Sequence, residues 1–212
     1  MSRKKAEQQA RRDCIVDAAR LLLAEKPVED VSMDDIAGKV DYTRRTLYSY
    51  FKSRDEIYLA VLIGDMRSRW ALQKAALAEA ETGLDKIVRW GESLFDYTQA
   101  NPVSTRLNVW WDLRGIDRSK IGEEIFAEFE QINEELAEGL RGIFQLGIRD
   151  GSLRDDLDVD MCISQYLYSL RAVLHRARSR GYSFARFDQG EYVMHFLDLF
   201  TRGIRNTKGR SK

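Results

Sequence analysis

The chain has 212 residues, 34 basic and 34 acidic, with only 2 prolines and 14 glycines. That length suits one core plus a smaller second one, and so few helix breakers among abundant Ala, Leu, Glu and Arg favour an all-α protein. No apolar run approaches the ~18 residues that span a bilayer, and zero net charge excludes a uniformly basic surface, so an anionic partner must be met by a local patch.

The first residues, MSRKKAEQQARRD, are basic and lack the apolar stretch of a signal peptide, so a cytoplasmic protein is expected. Met1 to Arg12 holds five basic residues against the single Glu7. Arg3, Lys4 and Lys5 read as a basic arm. Residues 1–54 together hold twelve Lys/Arg and nine Asp/Glu, and the remainder of the chain balances them.

Ile15, Ala18, Ala19, Leu22 and Leu23 recur at three- and four-residue steps and predict a first helix over about 6–25. Pro27 and the polar stretch after it end that helix. Ser32 caps a second helix, with Asp35 three residues on as in a capping box; Met33, Ile36, Ala37 and Val40 form its buried face. Asp41 and Tyr42 make the turn. Thr43 caps a third helix to about Tyr50, with Leu47 and Phe51 pointing inward.

A fourth helix, about 54–80, is long enough to enter a second domain. Five more follow at about 84–100, 103–113, 119–149, 159–180 and 189–206, separated by Pro102, by Gly115 with Asp117, and by the turn at Gly151. The expected division is 1–53 and 54–212. Cys14 and Cys162 are expected to be separate buried thiols rather than a disulfide. On the last two helices, Val159, Ile163, Tyr166, Leu167, Leu170, Val173 and Leu174 form one apolar stripe, and Tyr192, Val193, Phe196, Leu197, Phe200 and Ile204 another. Such stripes serve either an internal core or a four-helix bundle with a second copy.

The third helix carries the functional signal. Arg44 and Arg45 fall in its first turn, where a helix's own partial positive charge disfavours cations. The second helix places Asp34 and Asp35 there instead. Arginines at the start of a short helix after a turn suit a DNA major groove. Arg44 and Arg45 reach guanine edges or phosphate, and Thr43 and Thr46 reach phosphate or a thymine methyl. Tyr48 and Tyr50 end in hydroxyls suited to phosphate, Lys52 adds a charge at the exit, and Ser32 sits where backbone N–H groups meet phosphate. The bland reading makes Phe51 and part of Tyr48 packing, Ser32 a plain cap and the arm a loose tail.

Ala10 to Val61 resembles the DNA-binding domain of the TetR family of bacterial transcriptional regulators. The resemblance rests on Ile15, Ala18 and Ala19, on Ser32, on Ile36-Ala37, and on the run Thr43-Arg-Arg-Thr-Leu-Tyr-Ser-Tyr-Phe-Lys-Ser-Arg-Asp-Glu-Ile. Gly147 to Asp156 is weakly similar to the turn before that family's last helix pair. Asp41 stands where the family has its turn glycine, and Arg45 where a small residue is frequent. The resemblance implies an N-terminal helix-turn-helix domain followed by a larger helical ligand-binding and dimerisation domain. It implies a homodimer, joined through the last two helices, on a palindromic double-stranded DNA operator. DNA contacts would fall on Ser32, Thr43, Arg44, Arg45, Thr46, Tyr48, Tyr50 and Lys52. It further implies a repressor released by a small-molecule effector.

Aromatic residues crowd the second part of the chain, and Trp110, Phe126, Phe129, Tyr166 and His175 are the expected pocket wall, against plain core packing as the alternative. No enzyme is expected. His175 and His195 lack metal spacing, no phosphate loop or nucleophile elbow occurs, and pairs such as Glu123-Glu124 diverge on a helix. No cofactor and no metal site is expected. A helical protein–protein adaptor is the other rival.

Overall fold

The computed structural model describes residues 3–178 and 187–207, and these hold nine α-helices and no strand. The helices are α1 (Arg3–Glu25), α2 (Met33–Lys39), α3 (Arg44–Tyr48), α4 (Arg54–Ala78), α5 (Gly83–Ala100), α6 (Pro102–Arg114), α7 (Glu123–Arg149), α8 (Val159–Arg178) and α9 (Gln189–Ile204). The all-α expectation holds. No helix among the described residues is long and apolar enough to cross a membrane.

Three local expectations need correction. Arg3, Lys4 and Lys5 form the opening of α1 rather than a separate arm; Met1 and Ser2 lie outside the described residues. α7 starts at Glu123, not 119, because Asp117 accepts from the Ser119 amide at 3.1 Å and holds Arg118–Lys120 in a single tight turn. Both thiols are free, but Cys14 is exposed and Cys162 only half-buried. Cys14 lies beside the buried stripe of α1, not on it. Residues 179 and 180, expected to end the eighth helix, lie outside the described residues.

The chain packs as two units, one drawn from Met1–Arg67 and Asn101–Ile132, the other from Ser68–Ala100 and Asn133–Lys212. The division falls inside α4 and α7. The first unit is larger than the helix-turn-helix alone, because α6 and the first part of α4 complete its core. Ile15, Ala19, Leu23, Ile36, Leu47, Phe51, Ile57 and Leu59 are essentially inaccessible. Tyr58 ties this core to the segment before α2: its hydroxyl lies 3.0 Å from the Val28 carbonyl oxygen and 2.8 Å from that of Val31. Its ring stands edge-on to Trp110 at 5.7 Å. Burial pushes the Tyr58 phenol up to about 12, since a phenolate would lose its hydration there.

In the second unit α5 packs with α8 and α9. The turn after α7 caps α5: the Gly83 amide donates to Asp150 Oδ2 at 2.8 Å and the Leu84 amide to Ser152 Oγ at 3.1 Å. Burial alone raises the Asp150 pKa, but the hydrogen bonds from Ser152 and Gly83 outweigh it and the carboxyl sits below its usual range. Gly151 takes φ +77° to make this turn, a conformation that glycine adopts without a Cβ penalty. A Cβ on Gly83 would lie 2.2 Å from the Gly147 nitrogen, so the two helices meet backbone to backbone.

Candidate nucleic-acid interface

α3 has five residues and a single buried side chain, Leu47. The Thr43 hydroxyl caps it by accepting from the Thr46 amide at 3.1 Å. With Leu47 fixed inward, the helical repeat turns Thr43, Arg44, Arg45, Tyr48 and Ser49 to solvent, all exposed. Thr46 and Tyr50 are half-buried and Lys52 is exposed. Phe51, 1 % exposed, anchors the exit. Asp41 adopts φ 55°, so the residue at the expected turn position enters the left-handed region that Asp tolerates better than most.

The helix start contains no acid. Arg44 instead reaches Asp34 of α2 at 3.3 Å, a pair exposed on both sides. Its guanidinium also lies 3.5 Å from the Tyr48 hydroxyl and 5.8 Å from that ring's centroid. Tyr48 first, and Asp34 after it, raise the Arg44 pKa. Such an exposed pair contributes little, so another anionic partner can replace it. Thr43 and Thr46 share a hydroxyl contact of 2.8 Å.

Ser32 is placed differently from the outward residues of α3. Its Oγ accepts from the Asp35 amide at 3.1 Å, and its own amide donates to Asp35 Oδ2 at 2.9 Å. Lys26 Nζ, 2.7 Å from Asp35 Oδ1, is the main reason that carboxyl lies well below its usual range, with Ser32 next. A carboxylate therefore already occupies the start of α2.

Sequence reasoning missed the contribution of α1. Arg12 donates to the Tyr50 carbonyl, and its guanidinium lies 4.3 Å over the Phe51 ring. The Tyr50 hydroxyl, and then Glu7 at 2.7 Å, raise the pKa of Arg11. Lys4, Gln8 and Arg11 together with Ser49 and Tyr50 border an open cavity of about 480 Å³. The only signal for this was the basic run of the first twelve residues. Nothing local shows that it faces the end of α3.

Residues 15–61 match the family described as bacterial regulatory proteins, tetR family. This segment of the chain is a TetR-family DNA-binding region. Among its relatives, the transcriptional repressor KstR2 of Rhodococcus jostii is 23 % identical over 154 residues, 71 % of this chain and 72 % of that one. The transcriptional regulator EthR of Mycobacterium tuberculosis is 33 % identical over 82 residues, 38 % of each chain. The structure of FadR from Bacillus subtilis in complex with stearoyl-CoA superposes with a TM-score of 0.70 at 19 % identity, covering 91 % of this chain and 98 % of that one. With that segment and with transcriptional regulators as its relatives, the protein is a DNA-binding transcriptional regulator. These relatives are regulators, not enzymes.

The residues expected to line an effector pocket are divided between the two units. In the first unit, Trp110 is 5 % exposed and stands edge-on to Trp111 at 4.8 Å. Phe126 and Phe129, half-buried, lie 6.0 Å apart. In the second unit, Tyr166 is fully buried, donates to the Ile87 carbonyl at 2.6 Å and stands 4.9 Å from Phe200. Burial pushes the Tyr166 phenol well above its ordinary range. His175 is exposed. It shares the outer stripe of α8 with Met161 and Tyr168, 55 % and 71 % exposed. The structure thus brings Phe126 and Phe129 together and gives Tyr166 and His175 other surroundings.

Proposed function

We propose that the protein is a homodimeric repressor that reads a palindromic operator with α3 and leaves it when a largely apolar small molecule binds. One observation carries the DNA reading: Leu47 is buried, while Arg44, Arg45 and Tyr48 face outward with no buried carboxylate to hold them. Thr43, Thr46, Tyr50 and Lys52 complete the contact set. Lys4 and Arg11 of α1 are added to it as phosphate contacts, and Ser32 contributes only through its cap. The helix-turn-helix of residues 1–53 is the reading module, and residues 54–212 carry effector binding and dimerisation.

The dimer reading is supported by α8 and α9, where Met161, Tyr168, Met194 and Leu199 are large apolar side chains left exposed. A second copy laid against them makes a four-helix bundle, and a two-fold dimer reads half-sites about 34–36 Å apart. The effector reading is supported by Trp110, Phe126 and Phe129, and by the stearoyl-CoA bound in the structurally similar FadR. An effector acts only if it prefers the form that cannot hold DNA.

The test is selection of bound fragments from a random DNA pool, followed by titration of the enriched site over a range of salt. The reading requires an inverted repeat and an affinity that falls steeply with salt as phosphate contacts release counterions. Enrichment of no repeat, or binding indifferent to salt, overturns it.

A further inference from the structure

A second cavity, of about 580 Å³, lies wholly within the first unit, inside the ~300–1,000 Å³ range of small-molecule sites. One wall is a face of α1 distinct from its buried stripe. Positions 5, 8, 9, 12, 13, 16, 17 and 20 line it, stepping as one helical face does. The opposite walls come from α4 around Ile63 and Gly64 and from the first turns of α7 at Glu124, Ile125 and Glu128. The floor is apolar: Ile63 is 2 % exposed, Ile125 is 3 % exposed, and Val16 is half-buried.

Charge decides what such a groove takes. Its arginines are already engaged by the protein. Arg12 donates to the Tyr50 carbonyl over the Phe51 ring, Arg20 is paired with the buried Asp65, and Arg67 lies 2.6 Å from Glu128. The acids are not matched in the same way. Asp13 accepts only from the neutral amide of Gln9, at 2.8 Å, whereas Asp17 and Glu124 make no ion pair with any described residue. Lys5 stands twelve residues from Asp17 on the same helix, roughly 18 Å at the helical rise. The middle of the groove therefore pairs an apolar floor with carboxylates that lack counter-ions. An anion finds no unengaged arginine there. A metal ion is disfavoured as well, since no group of three His, Cys, Asp or Glu among the described residues is placed to hold one.

We propose that this groove binds an amphipathic organic amine, its ammonium beside Asp17 and Glu124 and its apolar body on Val16, Ile63 and Ile125. The site belongs to the DNA-reading unit and does not depend on the effector reading above. An occupant bridges α1, α4 and α7, and α1 in turn holds the end of α3 through Arg12.

The test is calorimetric titration of the full-length protein at low salt with 4-phenylbutylamine and, for comparison, 4-phenylbutyrate, which carries the same ring on a chain of opposite charge. The amine is expected to saturate one site per chain and the carboxylate to show no binding there. The double variant Asp17→Asn with Glu124→Gln should bind the amine about three- to tenfold more weakly, the loss expected for two partly screened charges. Asp17→Glu, which keeps the charge, should retain binding and guards against a merely structural effect. Hydrogen exchange should show amine-dependent protection in 5–20, 60–67 and 124–128. Equal binding of the carboxylate, undiminished amine binding by the double variant, or protection confined to 68–100 and 133–178 overturns the proposal.

Discussion

Replacing Tyr58 by Phe keeps the ring against Trp110 and removes one hydroxyl. That hydroxyl has one proton to donate and two carbonyls within reach, those of Val28 and Val31 at 3.0 and 2.8 Å. Arg54 also donates to Val31 at 2.9 Å, so the variant chiefly strands Val28. One buried hydrogen bond lost beside a carbonyl left poorly satisfied costs about 1–2 kcal/mol, or a fall in Tm of roughly 2–8 °C for a chain of this size. The pH dependence gives a second signature. The folded phenol titrates near 12 and an unfolded one near 10. A raised folded value means the stabilisation is fully present below about pH 10 and is lost as pH rises through 12. Urea unfolding of both proteins between pH 7 and 11.5 should therefore show a gap at pH 7 that narrows above pH 10. Tyr166 titrates in both proteins and cancels in the difference. A gap that is zero at pH 7, or constant across the range, would refute the assignment of Tyr58 as the tie between α4 and the segment entering α2.

Arg44→Ala and Arg45→Ala should each weaken operator binding about ten- to a hundredfold, as expected for losing one base or phosphate contact set, with Tm unchanged; unaltered affinity in both removes them from the interface. Asp34→Asn frees Arg44 from its exposed partner and should tighten operator binding, by roughly two- to fivefold. Tyr168→Glu places a charge on the outer stripe of α8, and light scattering at micromolar concentration should then give a monomer mass with the helical circular dichroism intact. A Cβ at Gly91 would lie 2.4 Å from Leu197 Cδ2 and 2.7 Å from the Tyr166 hydroxyl. Gly91→Ala should therefore destabilise the chain by about 1–3 kcal/mol, measured as a lowered urea midpoint, and an unchanged midpoint contradicts that packing.

Local chemistry was legible in the sequence, and tertiary partnership was not. Ser32 with Asp35, Thr43 with Thr46, and Asp41 at the turn all act within four residues, so spacing identified the caps, and the family resemblance marked Asp41 as the turn position. Leu47 and Phe51 were readable as inward because helical phase fixes them against Arg44, Arg45 and Tyr48. Arg12 escaped notice because its partner, Tyr50, lies 38 residues away and no periodicity joins them. The start of α7 was misplaced because Asp117 satisfies the Ser119 amide locally and so allows a short turn before the helix proper. His175 looked like a polar contact by composition, yet its phase sets it with Met161 and Tyr168 on the outside of α8. The dense aromatic content similarly did not distinguish Tyr166, committed to the Ile87 carbonyl, from the less enclosed Phe126 and Phe129.

A helix of five residues hung from one leucine has an evolutionary corollary. Because Leu47 and the Thr43 cap fix the fold of α3, the outward positions between and beyond them are free to change without endangering the scaffold. On the proposed reading, exchanging Arg44, Arg45 or Tyr48 would readdress the molecule to another promoter while its thermal robustness stays put. Paralogues diverging by a few such exchanges would then acquire separate target genes from one ancestral architecture.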